Sequence, residues 1–112
     1  MASKCVKKWK SVRRPSTGGE ITEIVRIESD VNGVLKGKHE GSGKGVGGEC
    51  LGSGMTWYRP DDGTFPRYEY EGGFVNGDED HVKGTYKVIS HADSRLDVEA
   101  GGDWEADKTG TD

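Results

Sequence analysis

Two Asn-Gly dipeptides, Asn32-Gly33 and Asn76-Gly77, each stand between runs that favour extended backbone. A two-residue hairpin of type I′ needs positive φ at both central positions, and Asn-Gly supplies it at the least steric cost. Each dipeptide therefore predicts two antiparallel strands in sequence. Around the second, Tyr68, Tyr70, Gly72 and Phe74 alternate with Glu69 and Glu71. On the far side, Val82, Gly84, Tyr86 and Val88 alternate with Lys83, Thr85 and Lys87. A period of two with one apolar face is the pattern of a half-buried strand. Met55–Ile89 thus reads as a three-strand meander, with Pro60-Asp61-Asp62-Gly63 as its first turn.

The rest of the chain extends this pattern. Residues 4–14 alternate weakly and predict a first strand with Trp9 inward, ended by the turn residues Pro15 to Gly19. Glu20 to Glu28 is rich in β-branched residues and predicts the next strand, with Val34 to Glu40 returning from Asn32-Gly33. Gly41 to Gly54 is glycine-rich. It lacks the third glycine of a dinucleotide fingerprint and the closing Gly-Lys-Ser/Thr of a P-loop, and no helical segment follows to meet a phosphate. It predicts strand and loop. Leu96–Ala100 and Trp104–Ala106 predict the last two strands, joined by Gly101-Gly102, and Asp107 to Asp112 a polar tail. The expected fold class is all-β. Residues 1–112 form a single antiparallel up-and-down meander barrel of about eight short strands with little or no helix, because closure removes exposed edges. An open sandwich is the alternative. Nineteen glycines among 112 residues suit the bends of such a barrel.

Charge is distributed unevenly. The net charge is −4, yet residues 1–14 hold six cations and no acid. This segment is either a basic arm or a strand made soluble by lysines. The acidic remainder would repel a phosphate backbone, so nucleic acid is not an expected partner. Cys5 and Cys50 are too few for a disulfide framework. They fit free thiols in a reducing compartment or a single bridge. No apolar run is long enough for a signal-peptide core or a membrane span, so the expected location is cytoplasmic.

No stretch carries a specific catalytic signature. Histidines 39, 81 and 91 fall at strand positions and a loop with no i, i+2 pair, and read as satisfied surface residues. Asp78-Glu79-Asp80 lacks the alternating oxygens of a calcium loop and reads as an acidic turn. No metal site and no cofactor are expected. Glu69 and Glu71 alternate outward, the wrong face for an acid–base pair in an apolar pocket.

At Met55 to Phe65 the chain resembles small β-barrels of the allene oxide cyclase-like, calycin-type superfamily. The likeness lies in the glycine-rich strand Gly41–Gly54, the turn Tyr58–Gly63, then Glu71-Gly-Gly73 and Gly84-Thr-Tyr86, across roughly residues 33–106. Asp62 is an extra residue in that turn. The resemblance implies a barrel whose cavity opens at one end and suits a small apolar ligand. It carries over no catalytic residue. The expected function is a non-enzymatic binding module for a small apolar or aromatic ligand, lined by Trp57, Tyr68, Tyr70, Phe74, Tyr86 and Trp104. The alternatives are a cyclase or isomerase acting on an enclosed ligand, and an interaction scaffold. Barrels of this class often self-associate through flat outer faces, so a homo-oligomer is a further expectation.

Overall fold

The computed structural model describes residues 4–15, 18–61, 67–89 and 101–109. Eight strands run in order: β1 (Lys8–Pro15), β2 (Ile21–Val31), β3 (Val34–His39), β4 (Gly45–Cys50), β5 (Gly54–Arg59), β6 (Arg67–Val75), β7 (Asp78–Ile89) and β8 (Gly102–Lys108). Each pairs antiparallel with its neighbour, and β1 pairs with β8 to close the barrel. The chain is therefore an all-β, up-and-down barrel, and no helix occurs among the described residues.

Both Asn-Gly turns form as the local chemistry dictates. Asn32 and Gly33 have φ of 54° and 88°, and Asn76 and Gly77 have 52° and 76°. The basic N-terminal segment is no free arm. From Lys8 it is a stave of the barrel, bonded to β2 on one side and β8 on the other. The last strand runs to Lys108, two residues into the expected tail, and Asp107 pairs with His81 and Lys10 along the ladders. The expected strand Leu96–Ala100 lies outside the described residues, as do Asp62, Gly63 and His91.

Alternation sends one face of every strand inward. Trp9, Val25, Ile27, Leu35, Val46, Met55, Trp57, Val82, Trp104 and Ala106 are each 1% exposed or less. The middle of the barrel is a layer of rings. Trp57 meets Trp104 edge-on at 4.9 Å between centroids, and Tyr70 stacks on Tyr86 at 5.7 Å. Tyr70 also lies 5.9 Å from Trp57 and 5.4 Å from Trp104. Each such pair adds on the order of 1 kcal/mol beyond the area it buries. Trp104 donates its Nε1 proton to Ser11 Oγ at 2.8 Å, so its one polar atom is satisfied inside. Glycine makes room for these rings. Gly84 stands opposite Trp104, where the β6 backbone comes so close that a Cβ would lie 2.0 Å from Glu71 O. Strand β7 can cross β6 at that distance only without a side chain.

One end of the barrel is sealed by the segment before β1. Cys5 is fully buried and bonded to Cys50 at the end of β4. Its carbonyl accepts the Trp9 Nε1 proton at 3.0 Å, and the Lys7 carbonyl accepts the Ile27 amide at 2.9 Å. Of the two states the sequence left open for the cysteines, the structure has the bridge.

Candidate functional site

The opposite end is charged. It lies where β1 runs toward β2, β3 toward β4, β5 toward β6 and β7 toward β8. The inward phase that buries Trp9 and Ser11 continues to Arg13, and the phase of Val25 and Ile27 runs back to Glu23. Leu35 and Gly37 lead to His39, and Met55 and Trp57 lead to Arg59. Four strands thus deliver four polar side chains to one level, just above the ring layer.

Glu23 is the hub. Its Oε1 takes an ion pair from Arg13 Nη1. Its Oε2 accepts from Arg59 Nη2 at 2.6 Å and from His39 Nε2 at 2.8 Å. His39 Nδ1 accepts the Ser42 amide proton at 3.0 Å. That bond fixes the tautomer: the imidazole proton sits on Nε2 and is donated to Glu23. Arg13 Nη1 also donates to the Tyr70 hydroxyl at 3.1 Å, tying the cluster to the rings below. Both guanidiniums stand against the Tyr68 ring, Arg13 at 4.8 Å and Arg59 at 4.7 Å from its centroid. The four side chains are 9–15% exposed.

Electrostatics follows from these contacts. Burial pushes the Glu23 carboxyl up, but Arg59, Arg13 and the His39 bond outweigh it and hold the group below the usual carboxylate range. Burial pushes the Tyr70 hydroxyl up to about 12, against the pull of Arg13. Burial likewise raises Tyr86. Burial disfavours the charged Arg13, yet Tyr70 and Glu23 more than restore it, so its pKa lies above the ordinary value. At neutral pH the carboxylate is ionised and the Tyr70 hydroxyl neutral. Among the described residues two guanidiniums stand against one carboxylate here, each side chain 15% exposed or less. Arg59 Nε is buried there without a hydrogen-bond partner.

The six residues expected to line a cavity all lie on the inward phase, but they do not form one site. Trp57, Tyr70, Tyr86 and Trp104 pack on one another in the ring layer. Tyr68 belongs to the charged end. Phe74 lies toward the sealed end, with Lys4 Nζ 5.0 Å from its ring centre. His39 is a correction: expected on the surface, it is 7% exposed and inward. Its place at the end of β3 looked like a turn flank, but its spacing from Leu35 keeps it in the inward phase. His81 is half-buried and paired with Asp107. Glu69 and Glu71 point outward as expected, on β6. There a concavity of about 240 Å³ opens on the outer faces of β4–β7, flanked by Glu49, Thr56, Tyr58, Glu71, Thr85 and Lys87.

Among the described residues no group of three His, Cys, Asp or Glu could hold a metal ion. Comparison with protein-family models and with curated proteins finds no match to this chain.

Proposed function

We propose that this chain is a non-enzymatic binding barrel that takes a small ligand with a planar, apolar body at its charged end, across Tyr68 and beside Tyr86. The observation that carries this is the division of the interior. The ring layer is occupied by its own side chains, with Trp57 Nε1 unpaired among them, whereas the level above it holds, among the described residues, two guanidiniums against one carboxylate and a further unpartnered donor, Arg59 Nε. Tyr68 presents a half-buried ring at that level. The resemblance to allene oxide cyclase-like barrels supports the same placement, since it implies a ligand site at one end. A cyclase or isomerase would need a group poised to exchange a proton near neutrality. Glu23 is displaced toward acid and Tyr70 toward base, so neither is poised in that way.

The expected cytoplasmic location rested on the lack of an apolar run long enough for a signal-peptide core or a membrane span, with both cysteine states left open. The Cys5–Cys50 bridge favours an oxidising compartment instead. Among the described residues no helix is long and apolar enough to cross a membrane.

The test is a titration of the isotope-labelled chain with neutral planar compounds such as indole and 2-naphthol, followed by NMR. Saturable shifts should concentrate on Tyr68, Tyr86 and Arg59. Shifts confined to the outer face of β4–β7, or none at all, would refute the proposal.

A further inference from the structure

We infer that the charged end selects a monoanionic ligand: a planar carboxylate whose head group is held by Arg59 and Arg13 and whose body lies along Tyr68. This rests on the binding site placed there above and names the chemical class it takes.

The first argument is charge. Glu23 is the one inward carboxylate among the described residues at this end, and both guanidiniums pair only with it. His39 gives it a neutral N–H, because Nδ1 is already an acceptor for the Ser42 amide. The cluster therefore keeps one positive charge that no other described residue neutralises. A buried charge without a counter-charge is costly, and a single negative charge from a ligand relieves it.

The second argument is the count of donors. Each guanidinium carries five N–H groups in a planar fork. Arg13 directs Nη1 to Glu23 and Tyr70, and Arg59 directs Nη2 to Glu23. Arg59 Nε is sealed from water with no acceptor. A carboxylate is the planar, two-oxygen acceptor that matches the edge of such a fork.

The third argument is selectivity. A second negative charge on the ligand would face Glu23, and a cation would face Arg13 and Arg59. Glu23 therefore acts as a specificity-determining residue, setting the accepted charge at minus one. Tyr68 is half-buried at this level, and a planar ring there favours a flat body over a branched one.

The experiment compares four probes of similar size on the full chain by calorimetry and NMR: benzoate, benzamide, benzylamine and phthalate. Benzoate should bind roughly tenfold or more tightly than benzamide, as charge-assisted pairing to a buried guanidinium requires. Its shifts should centre on the Arg59 Nε–H and on Tyr68. Benzylamine and phthalate should bind more weakly than benzoate. In Arg59→Met the preference of benzoate over benzamide should vanish, and in Arg59→Lys it should be reduced. Equal binding of benzoate and benzamide at this end would overturn the ligand class while leaving the binding barrel standing. Tighter binding of phthalate or benzylamine than of benzoate would overturn it too. If no probe reaches this end at millimolar concentration, the binding reading falls and the ligand class with it. The four-probe comparison uses the unaltered chain, so it decides the matter even where a variant fails to fold.

Discussion

The two ends of this barrel are closed by opposite means. At one, Cys5 is buried and cross-linked, and backbone carbonyls of the entering segment satisfy Trp9 and Ile27. Its ion pairs, such as Lys7 with Asp80, lie at the surface. At the other, a carboxylate, two guanidiniums and an imidazole are drawn inside. The first end is apolar and covalent, so acid should leave it intact and reductant should open it. The second is ionic, so its dependence is reversed. A buried ionic cluster is a poor way to stabilise a fold, since well-packed apolar residues generally do as well. Its presence at one end only, among the described residues, fits the ligand site proposed there.

The strongest way to break this contrast is to remove the bridge. Cys5→Ser should lower the unfolding free energy by about 4 kcal/mol, the entropy of a loop of this length, and leave the charged-end NMR signals in place. Urea melts with and without reductant measure the first part. Glu23→Gln comes next. It strands two buried guanidiniums and should cost about 3 kcal/mol, with shifts confined to β1, β2, β3 and β5. If the two losses fail to add in the double variant, the ends are coupled and the contrast is wrong.

Acid titration sharpens the same contrast. The Glu23 carboxyl is depressed in the folded state, so its stabilisation is fully present above the ordinary value of 4.5 and is lost as pH falls from there through the folded-state pKa. Stability measured between pH 7 and 2 should therefore drop below about pH 4.5. That component should persist in Cys5→Ser and disappear in Glu23→Gln. The smallest effect is expected of Asp80→Asn at the sealed end. Asp80 is held below the usual range by its bond to Lys7, but the pair is solvent-screened, and the loss should stay under about 1 kcal/mol in the same urea assay.

The barrel was legible in the sequence because its signals are local. Asn32-Gly33 and Asn76-Gly77 declare their turns by backbone chemistry alone, and Tyr68 to Val88 shows its inward face by simple alternation. The charged end was not legible in the same way. Arg13, Glu23, His39 and Arg59 come from four strands, and each is a residue type normally turned outward. Arg13 sat in a run of cations that looked like a soluble edge, and His39 stood beside a turn. The signal that finds them is phase: each lies two residues from an inward neighbour, Ser11, Val25, Gly37 and Trp57. Which cysteine state holds was equally out of reach, since Cys5 and Cys50 meet only once the barrel is formed. The six aromatic residues were read on the correct face, but whether rings line a space or fill it depends on distances between strands, which alternation does not encode.

Seven of the eight ladders join strands adjacent in sequence. The eighth, β1 with β8, pairs Trp9 with Lys108 and Arg13 with Trp104. Hairpins can form as soon as their residues exist, but this seam must wait for a contact across almost the whole chain, and distant contacts set the pace of folding. Arg13 is the seam residue that also reaches Glu23 and Tyr70. Through Arg13 the ionic cluster shares this seam with Trp104, which reaches the ring layer by the same ladder. The final zip of the barrel is thus also the step that roofs the ring layer, and a slow phase in tryptophan burial after hairpin formation would be its kinetic trace.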